Sequence, residues 1–365
     1  MTDSTADSAA DSTAGGTAGG TAAMFRLVAQ LPDQLRGSAT LPGLDAVGLA
    51  PGLRRIVVCG MGGSAIAGDL VAPLLEAGPV SLTVWRDYGL PHWVAPEDLV
   101  VASSYSGHTE ETLSAFAAAG ARGCRRLAIA SGGALAAGAR AAGVPVVELP
   151  GGLPPRASLG WGLGALARAL GRAGVVANAP WAVEAAAAAL GRSGPARLDA
   201  SGPADPDGNP PAAALAGALA GRLPVIYTCG GESHAAGLRL RAQLNENAKV
   251  PAALAAFPEL DHNDLVGWDL APADRERFVL LILRAADENP RTALRVGLTR
   301  NLLAEQFAGV YELRGGGADV LTRVLSLVQY GDCLSCHLAA RRGVDAMPVD
   351  RIVKLKEALA RAQDR

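Results

Sequence analysis

Residues 54–78 read RRIVVCGMGGSAIAGDLVAPLLEAG, and this stretch decides the fold. The apolar run at 55–59 is typical of a buried strand, the glycine-rich residues 60–63 predict a tight turn, and Ser64 opens a segment with helical apolar spacing. The plan returns in SLTVWRD (81–87), LVVASSYSGHTEETLSAFAAAGARG (99–123), RRLAIAS (125–131) and VPVVELP (144–150). Strands that alternate with helices predict an α/β fold, with a parallel sheet covered by helices on both faces.

A second series of the same kind follows in the C-terminal part of the chain. Its opening, VIYTCGGESHAAG (225–237), has the form of VVCGMGGSAIAG (57–68): a strand, a glycine-rich turn and a helix. Between residues 172 and 212 the pattern weakens into an Ala-rich helix and then SGPADPDGNPP (201–211), whose composition is typical of a loop or linker. Two similar α/β halves are the simplest interpretation.

The N-terminal residues have a different composition. Residues 1–23 are almost wholly Ala, Gly, Ser, Thr and Asp, which cannot bury enough apolar surface to offset the entropy of ordering. The predicted organisation is therefore a disordered tail over 1–23, a first domain with an N-terminal helix over 24–171, a helical connection and linker over 172–212, and a second domain with a C-terminal helix over 213–365.

Composition excludes several classes of partner. The 365 residues are 50% hydrophobic with a net charge of −2, and the 33 Lys and Arg are dispersed, so neither nucleic acid nor an acidic membrane surface is an expected partner. No apolar run approaches the length of a membrane span, and Asp3 and Asp7 stand where an export signal would be basic. We expect a cytoplasmic protein.

The cysteines and histidines do not predict a metal or a cofactor. Five scattered cysteines in a chain without an export signal indicate reduced thiols. The CLSCH segment at 333–337 matches a haem-attachment pattern, but it lies within a run whose apolar spacing predicts a helix ended by Gly343. The other histidines show no metal-ligand spacing. We therefore expect no metal and no cofactor.

Hydroxyl side chains are concentrated in SSYSGHTEET at 103–112, directly after a predicted buried strand. In an open parallel sheet, ligands bind at the carboxyl ends of strands, where loops enter helix N-termini. Short hydroxyls and free amides there can hold a phosphate without Lys or Arg. Ser104, Ser106 and Thr109 are the predicted cradle residues, and Gly107 permits close backbone approach. The alternative, a helix cap, requires only one of these hydroxyls.

The glycine turn at Gly62, Gly63 and Ser64 is the second candidate for phosphate binding. Alone it is weak, because such a turn serves tight packing as readily as ligand contact. It has neither the P-loop pattern nor the dinucleotide fingerprint, whose third glycine would fall on Ala65.

Together these motifs resemble a known family. GMGGSAIAGD and SYSGHTEET look like the sugar isomerase (SIS) domain, a flavodoxin-like phosphosugar-binding unit. PPRASLG (154–160), NENAKVP (245–251), ELDHNDLVGW (259–268) and ARRGVDAMPVDRIVKLKEAL (340–359) resemble the bifunctional phosphoglucose/phosphomannose isomerase family. The resemblance implies two flavodoxin-like SIS domains in tandem, a homodimer, and interconversion of mannose 6-phosphate, glucose 6-phosphate or both with fructose 6-phosphate.

The same resemblance implies catalytic residues for metal-independent proton transfer through a cis-enediol. Glu246 would be the base at C2, although an isolated glutamate at a helix end is more often solvated. His262 would reach the site from the partner subunit and shuttle a proton for ring opening, although a lone histidine is more often structural. Arg156 would be the cation near C1 and C2, although it could also lie on the surface of a Pro-bounded loop.

A terminal lysine completes the family pattern. Lys356 shares a helical face with Ile352 and Leu359, which we expect to point inward, whereas Lys354 is displaced from that face, so Lys356 is the predicted residue. In one place the chain departs from the family. Ala346 and Met347 stand where a threonine often follows the turn, which leaves the balance between glucose and mannose substrates open.

A non-catalytic phosphosugar sensor is the alternative function, because SIS domains also serve as ligand-binding parts of regulators. Such regulators normally carry a DNA-binding module, and the residues before the first strand predict only a tail and one helix. A sensor also needs no base, so the combination of Glu246, His262 and Arg156 favours an isomerase.

Overall fold

The computed structural model describes residues 19–199 and 205–363 of the chain. Its first sheet is wholly parallel and has the strand order β2-β1-β3-β4-β5, which is the flavodoxin-like order. The strands are β1 Arg55–Cys59, β2 Ser81–Trp85, β3 Leu99–Ser104, β4 Arg125–Ala130 and β5 Val146–Glu148. Each lies in a segment that the sequence predicted to be a strand.

The second sheet repeats this arrangement with four parallel strands in the order β7-β6-β8-β9. These are β6 Leu223–Thr228, β7 Ala253–Ala256, β8 Phe278–Arg284 and β9 Val310–Arg314. Both sheets therefore place their first strand next to the third, with the second strand at the edge. The prediction of two similar α/β halves is confirmed.

Helices connect the strands and cover the sheets. In the N-terminal part they are α1 (19–29), α2 Leu31–Gly37, α3 Gly62–Val71, α4 Glu110–Ala121, α5 Gly133–Ala141 and α6 Leu159–Arg172. The remainder are α7 Ala179–Leu198, α8 Ala212–Leu219, α9 Gly231–Glu246, α10 Pro272–Arg275, α11 Pro290–Leu303, α12 Val320–Arg341 and α13 Asp350–Gln363. None of the described helices is long and apolar enough to cross a membrane.

A continuous hydrophobic cluster joins the two halves. It contains Ile56 and Val58 of the first sheet, Ile226 and Leu281 of the second, and residues of the helices between them, such as Leu334 of α12. Every residue of β3 is buried, as expected for a parallel strand covered on both faces. The packing between the halves therefore fixes α3 and α9, which follow the two glycine turns, against each other.

The N-terminal helix begins earlier than predicted. Residues 1–18 of the predicted tail lie outside the described residues, but residues 19–23 belong to α1, so the expectation of disorder is wrong for them. The physical reason is contact with the C-terminal part of the chain: the Thr21 hydroxyl donates to the carbonyl of Val344 at 2.9 Å and accepts from the amide of Ala346 at 3.3 Å.

The predicted linker is tied to the fold where the structure describes it. Residues 200–204 lie outside the described part. On either side of them, the buried side chains of Arg197 and Asp205 form an ion pair at 2.7 Å, and Asn209 hydrogen-bonds the backbone of Arg314. This segment is therefore anchored against the second half.

The haem-like segment lies inside α12, as its apolar spacing predicted. Cys333 and Cys336 are fully buried, and the ring of His337 packs edge-on against Phe25 at 4.8 Å between centroids. Gly343 follows the helix with a φ of +62°, so the predicted end of the helix is confirmed. These three side chains belong to the core.

Candidate active site

The candidate site lies at the carboxyl ends of β1 and β3. These two strands are neighbours in the sheet, although β2 lies between them in the sequence. This is the topological switch point, where open α/β sheets bind ligands. The loops after the two strands touch, because the amide of Tyr105 donates to the hydroxyl of Ser64 at 3.0 Å. Helix α3 begins at Gly62, whose φ of +49° lies in the left-handed region that favours glycine. The turn is thus shorter than the predicted 60–63.

The hydroxyl-rich loop contains two kinds of hydroxyl. Ser104 is buried: its hydroxyl lies 2.9 Å from that of Thr109 and accepts from the amide of Gly107 at 3.1 Å, so it holds the loop together. Ser106 is exposed, and among the described residues its hydroxyl accepts only a 3.3 Å contact from the His108 amide. Helix α4 starts directly after Thr109. Ser106 and the helix N-terminus therefore face outward together.

The Arg156 loop lies directly beside the first glycine turn. A Cβ added to Gly63 would be 2.9 Å from the carbonyl oxygen of Pro155 and 3.2 Å from the nitrogen of Arg156. Only glycine allows these two segments to approach so closely. The short 3-10 turn Pro155–Ala157 thus brings Arg156 to the predicted phosphate cradle.

Arg156 is buried, with 3% of its surface exposed, and its guanidinium is held in one orientation. Its Nε donates to Oδ1 of Asn247 at 2.8 Å, and Nη2 donates to the carbonyls of Ala346 and Met347 at 2.7 and 2.8 Å. Nη1 faces Oε2 of Glu246 at 3.7 Å. Burial lowers the pKa of the Arg156 guanidinium, and the Glu246 carboxylate opposes that shift. The alternative of a surface arginine on a loop is therefore wrong.

Glu246 is the last residue of α9 and its side chain is 26% exposed, so solvent reaches the carboxylate from one side. Its neighbour along the chain, Asn247, is fully buried and binds Arg156. The structure thus brings together a carboxylate from the second half and a guanidinium from the first.

His262 and Lys356 are not joined to this pair within one chain. His262 is an exposed residue at the end of the 3-10 turn Glu259–His262, and Lys356 lies on α13, which is exposed along its length. Among the described residues, neither side chain forms a hydrogen bond or ion pair with Arg156 or Glu246. The Lys356 face of α13 was expected to point inward. Within the single chain it is not buried, since Ile352 and Leu359 on the same face are 44% and 45% exposed.

Lys249 is a residue beside the site that sequence reasoning missed. Its Nζ donates to the carbonyls of Glu246 and Pro348 at 2.6 and 2.9 Å, and its φ is +57°. Partial burial, followed by the nearby charge of Arg156, lowers the pKa of the Lys249 ammonium. The NENAKVP segment contains this lysine three residues after Glu246, which was the available signal.

The second glycine turn carries a buried carboxylate that the first turn lacks. Gly231, with a φ of +38°, is the third residue after β6, as Gly62 is after β1, so Glu232 stands where Gly63 stands in the first half. The buried Glu232 carboxylate accepts from the amide of Ala286 at 2.7 Å and pairs with Arg323 at 3.0 Å. The first turn has no such carboxylate, so the two halves differ at the position where an anion would bind.

No group of three or more His, Cys, Asp or Glu side chains in the described ranges is arranged to hold a metal ion. The site therefore consists of hydroxyls, backbone amides, a guanidinium and a carboxylate.

Three comparisons with known proteins show what the chain is similar to in sequence and in fold. Residues 209–359 match the family model described as the bacterial phospho-glucose isomerase C-terminal SIS domain. The bifunctional phosphoglucose/phosphomannose isomerase of Caldicellulosiruptor bescii is 34% identical over 93% of this chain and 100% of its own length, and that of Aquifex aeolicus is 34% identical over 84% and 90%. In fold, a hypothetical protein of Thermus thermophilus superposes with a TM-score of 0.69 at 18% identity, covering 93% of this chain and 90% of its own.

Proposed function

The chain belongs to the bifunctional phosphoglucose/phosphomannose isomerase family and is an aldose–ketose isomerase of phosphosugars, and we propose that it converts both mannose 6-phosphate and glucose 6-phosphate to fructose 6-phosphate. The reaction would proceed by ring opening and transfer of a proton from C2 to C1 through a cis-enediol. It requires a base, a proton shuttle for the ring oxygen and a positive group beside the developing enediolate. It does not require a metal or a cofactor.

The observation that carries the proposal is the pairing of Glu246 with Arg156 beside the first glycine turn. A carboxylate that solvent still reaches can accept the C2 proton and return it to C1, so no net proton is consumed. The guanidinium stays charged when buried, and Nη1 is directed toward the Glu246 carboxylate. Negative charge that develops on the enediolate oxygens would be stabilised there.

The phosphate would lie at the N-termini of α3 and α4. Residues of both loops supply hydroxyls and amides, the groups that bind a phosphate at a helix N-terminus: Gly62, Gly63, Ser64, Ser104, Ser106 and Thr109. The buried hydroxyl of Ser104 would hold the loop, and Ser106 would contact the phosphate. In the second half the buried, negatively charged Glu232 stands where Gly63 stands in the first, which supports one phosphate site per chain.

The proton shuttle would come from a second copy of the chain. His262 is exposed, and its neighbour Asp261 bonds Arg295 and Thr299 of α11. The same helix carries an apolar stripe formed by Leu294, Leu298 and Leu302, which are 49%, 55% and 69% exposed. A homodimer that covers this stripe would carry His262 to the partner's site. The proposed second cation is Lys356. It lies on the exposed helix α13, which follows the loop bound by Arg156. We prefer Lys356 to Lys354 by family resemblance.

The compartment is also a proposal. All five cysteines are free thiols, which fits a reducing compartment and supports a cytoplasmic enzyme.

A chelator assay tests the function directly. Purified protein with excess EDTA is incubated separately with mannose 6-phosphate and glucose 6-phosphate, and fructose 6-phosphate is followed. We expect turnover of both sugars. Turnover of one sugar only would contradict dual specificity and direct attention to Ala346 and Met347. Binding of both sugars without turnover would overturn the isomerase proposal in favour of a sensor.

A further inference from the structure

The orientation of Arg156 depends on a buried side chain, Asn247. Three of the five guanidinium N–H groups are used for anchoring, one to Oδ1 of Asn247 and two to the carbonyls of Ala346 and Met347. The Asn247 contact is made by Nε, which fixes rotation of the guanidinium about its last bonds. As a result, the remaining nitrogen, Nη1, faces Glu246.

The amide of Asn247 is itself held in one orientation. Its Nδ2 donates to the hydroxyl of Ser335 at 3.0 Å, and that hydroxyl donates to the carbonyl of Asp332 at 2.7 Å. Because the hydroxyl proton is already used, Ser335 can only accept from the amide. The nitrogen of Asn247 must therefore point toward α12 and its oxygen toward Arg156.

A second buried contact fixes the backbone of Arg156. Arg239 of α9 forms a two-point ion pair with Asp332 of α12, at 3.0 Å for Nε to Oδ1 and 2.9 Å for Nη2 to Oδ2. The same Nη2 donates to the carbonyl oxygen of Arg156 at 2.7 Å. All of these side chains are at most 5% exposed. The backbone of Arg156 is thus anchored to α9 through Arg239, and its side chain to Asn247, which directly follows α9.

We propose that Asn247, oriented by Ser335, is a positioning residue for Arg156 in the isomerisation. This inference rests on the proposed function. Asn247 does not touch the substrate; it holds the guanidinium so that Nη1 meets charge that develops only in the transition state. Loss of the contact should therefore lower kcat and leave KM nearly unchanged, because the phosphate is held elsewhere.

The test compares Asn247→Ala, Ser335→Ala and their double variant in steady-state kinetics with mannose 6-phosphate. Asn245→Ala is the matched control: Asn245 also flanks Glu246 but is exposed and donates only to the carbonyl of Arg241. We expect Asn247→Ala to lose roughly 100-fold in kcat, the scale of a misplacement of about 1 Å, with KM changed less than about threefold. Asn245→Ala should match the wild-type enzyme.

The double variant separates positioning from general damage. If Ser335 acts through Asn247, the double variant has the kcat of Asn247→Ala alone, whereas independent structural defects would multiply. The positioning role would be overturned if the kcat losses of the two single variants multiplied in the double variant. A rise in KM as large as the fall in kcat, or a wild-type kcat in Asn247→Ala, would overturn it as well. Should Asn247→Ala fail to fold, a kcat loss at constant KM in Ser335→Ala supports the role and wild-type kcat overturns it. An inactive wild-type enzyme would instead refute the proposed function, and the positioning role with it.

Discussion

Nη1 of Arg156 lies 3.7 Å from Oε2 of Glu246, and the two residues come from opposite halves of the chain. Arg156 follows the first sheet on a 3-10 turn, and Glu246 ends α9, the helix after the first strand of the second sheet. Neither half alone contains both the guanidinium and the carboxylate. The close packing of α3 against α9 therefore does more than stabilise the molecule, since it assembles the pair on which the proposed chemistry depends.

Replacement of the carboxylate tests its role as base. Glu246→Gln keeps the side-chain shape but cannot accept the C2 proton, so we expect kcat to fall by roughly 100-fold to 10,000-fold with phosphosugar affinity nearly intact. The direct measurement uses substrate deuterated at C2 and follows the exchange of this deuterium with solvent, which we expect Glu246→Gln to lose. The exposed Glu305→Gln serves as the control and should behave as wild type. Unchanged turnover in Glu246→Gln would remove Glu246 as the base.

Two serines of the hydroxyl loop should have separable effects. Ser106 is exposed, so Ser106→Ala is expected to weaken phosphosugar binding about tenfold, the scale of one hydrogen bond to a charged group, with no change in Tm. Ser104 is buried and bonds Thr109 and Gly107, so Ser104→Ala should also cost about 1 kcal/mol of stability. Affinity by calorimetry and Tm by thermal unfolding check both. Wild-type affinity in Ser106→Ala would contradict the cradle assignment.

The second glycine turn should not bind substrate. Glu232→Gln keeps a group that can accept from the Ala286 amide but removes the charge that faces Arg323, so we expect a loss of roughly 1–3 kcal/mol in stability and an unchanged KM. Denaturant unfolding and kinetics on the same sample measure both. A raised KM at wild-type stability would mean that the phosphate lies in the second half.

Lys249 offers a test of backbone strain next to the site. Its φ of +57° favours glycine, while its Nζ ties the end of α9 to the loop before α13. Lys249→Gly and Lys249→Ala both lose the Nζ contacts, but only alanine keeps the strained backbone. We expect the glycine variant to be more stable than the alanine variant by about 1 kcal/mol in denaturant unfolding. Equal stability would mean that the left-handed conformation carries no cost.

Local sequence was sufficient to predict the sheets but not the contacts between them. Apolar runs such as 55–59 and the glycine turns predicted strands and their order of appearance, because these signals act over a few residues. The anchoring of Arg156 by Asn247 and by the carbonyls of Ala346 and Met347 joins three distant segments, and no periodicity encodes it. Ala346 and Met347, where the chain departs from the family pattern, contact Arg156 through their backbone carbonyl oxygens, which any residue would provide.

The second half shows the opposite limit of sequence reasoning. The two glycine turns look alike in the sequence, and their backbones are alike in Gly62 and Gly231. The difference is the single residue Glu232, whose carboxylate reaches Arg323 on a helix far along the chain. No local sequence pattern predicts this ion pair, because its two residues lie 91 positions apart in the chain.

A complementation experiment tests the proposed exchange of His262 between subunits. Glu246→Gln and His262→Ala are expected to be inactive as separate homodimers. In a mixed dimer, one site would combine both defects, while the other would combine the intact Glu246 of the His262→Ala chain with the intact His262 of the Glu246→Gln chain. We therefore expect a dimer isolated through two different tags to regain about half of the wild-type activity, because one of its two sites is complete.

The control for this experiment pairs Glu246→Gln with the double variant Glu246→Gln/His262→Ala. That dimer contains no intact Glu246 and should stay inactive however its subunits are arranged. If His262 served its own chain, the first mixed dimer would have no complete site either, since each chain would lack one of the two residues. Recovery in the first dimer and none in the control would therefore assign His262 to the partner's site, and failure of both would mean that His262 does not act in the partner's site.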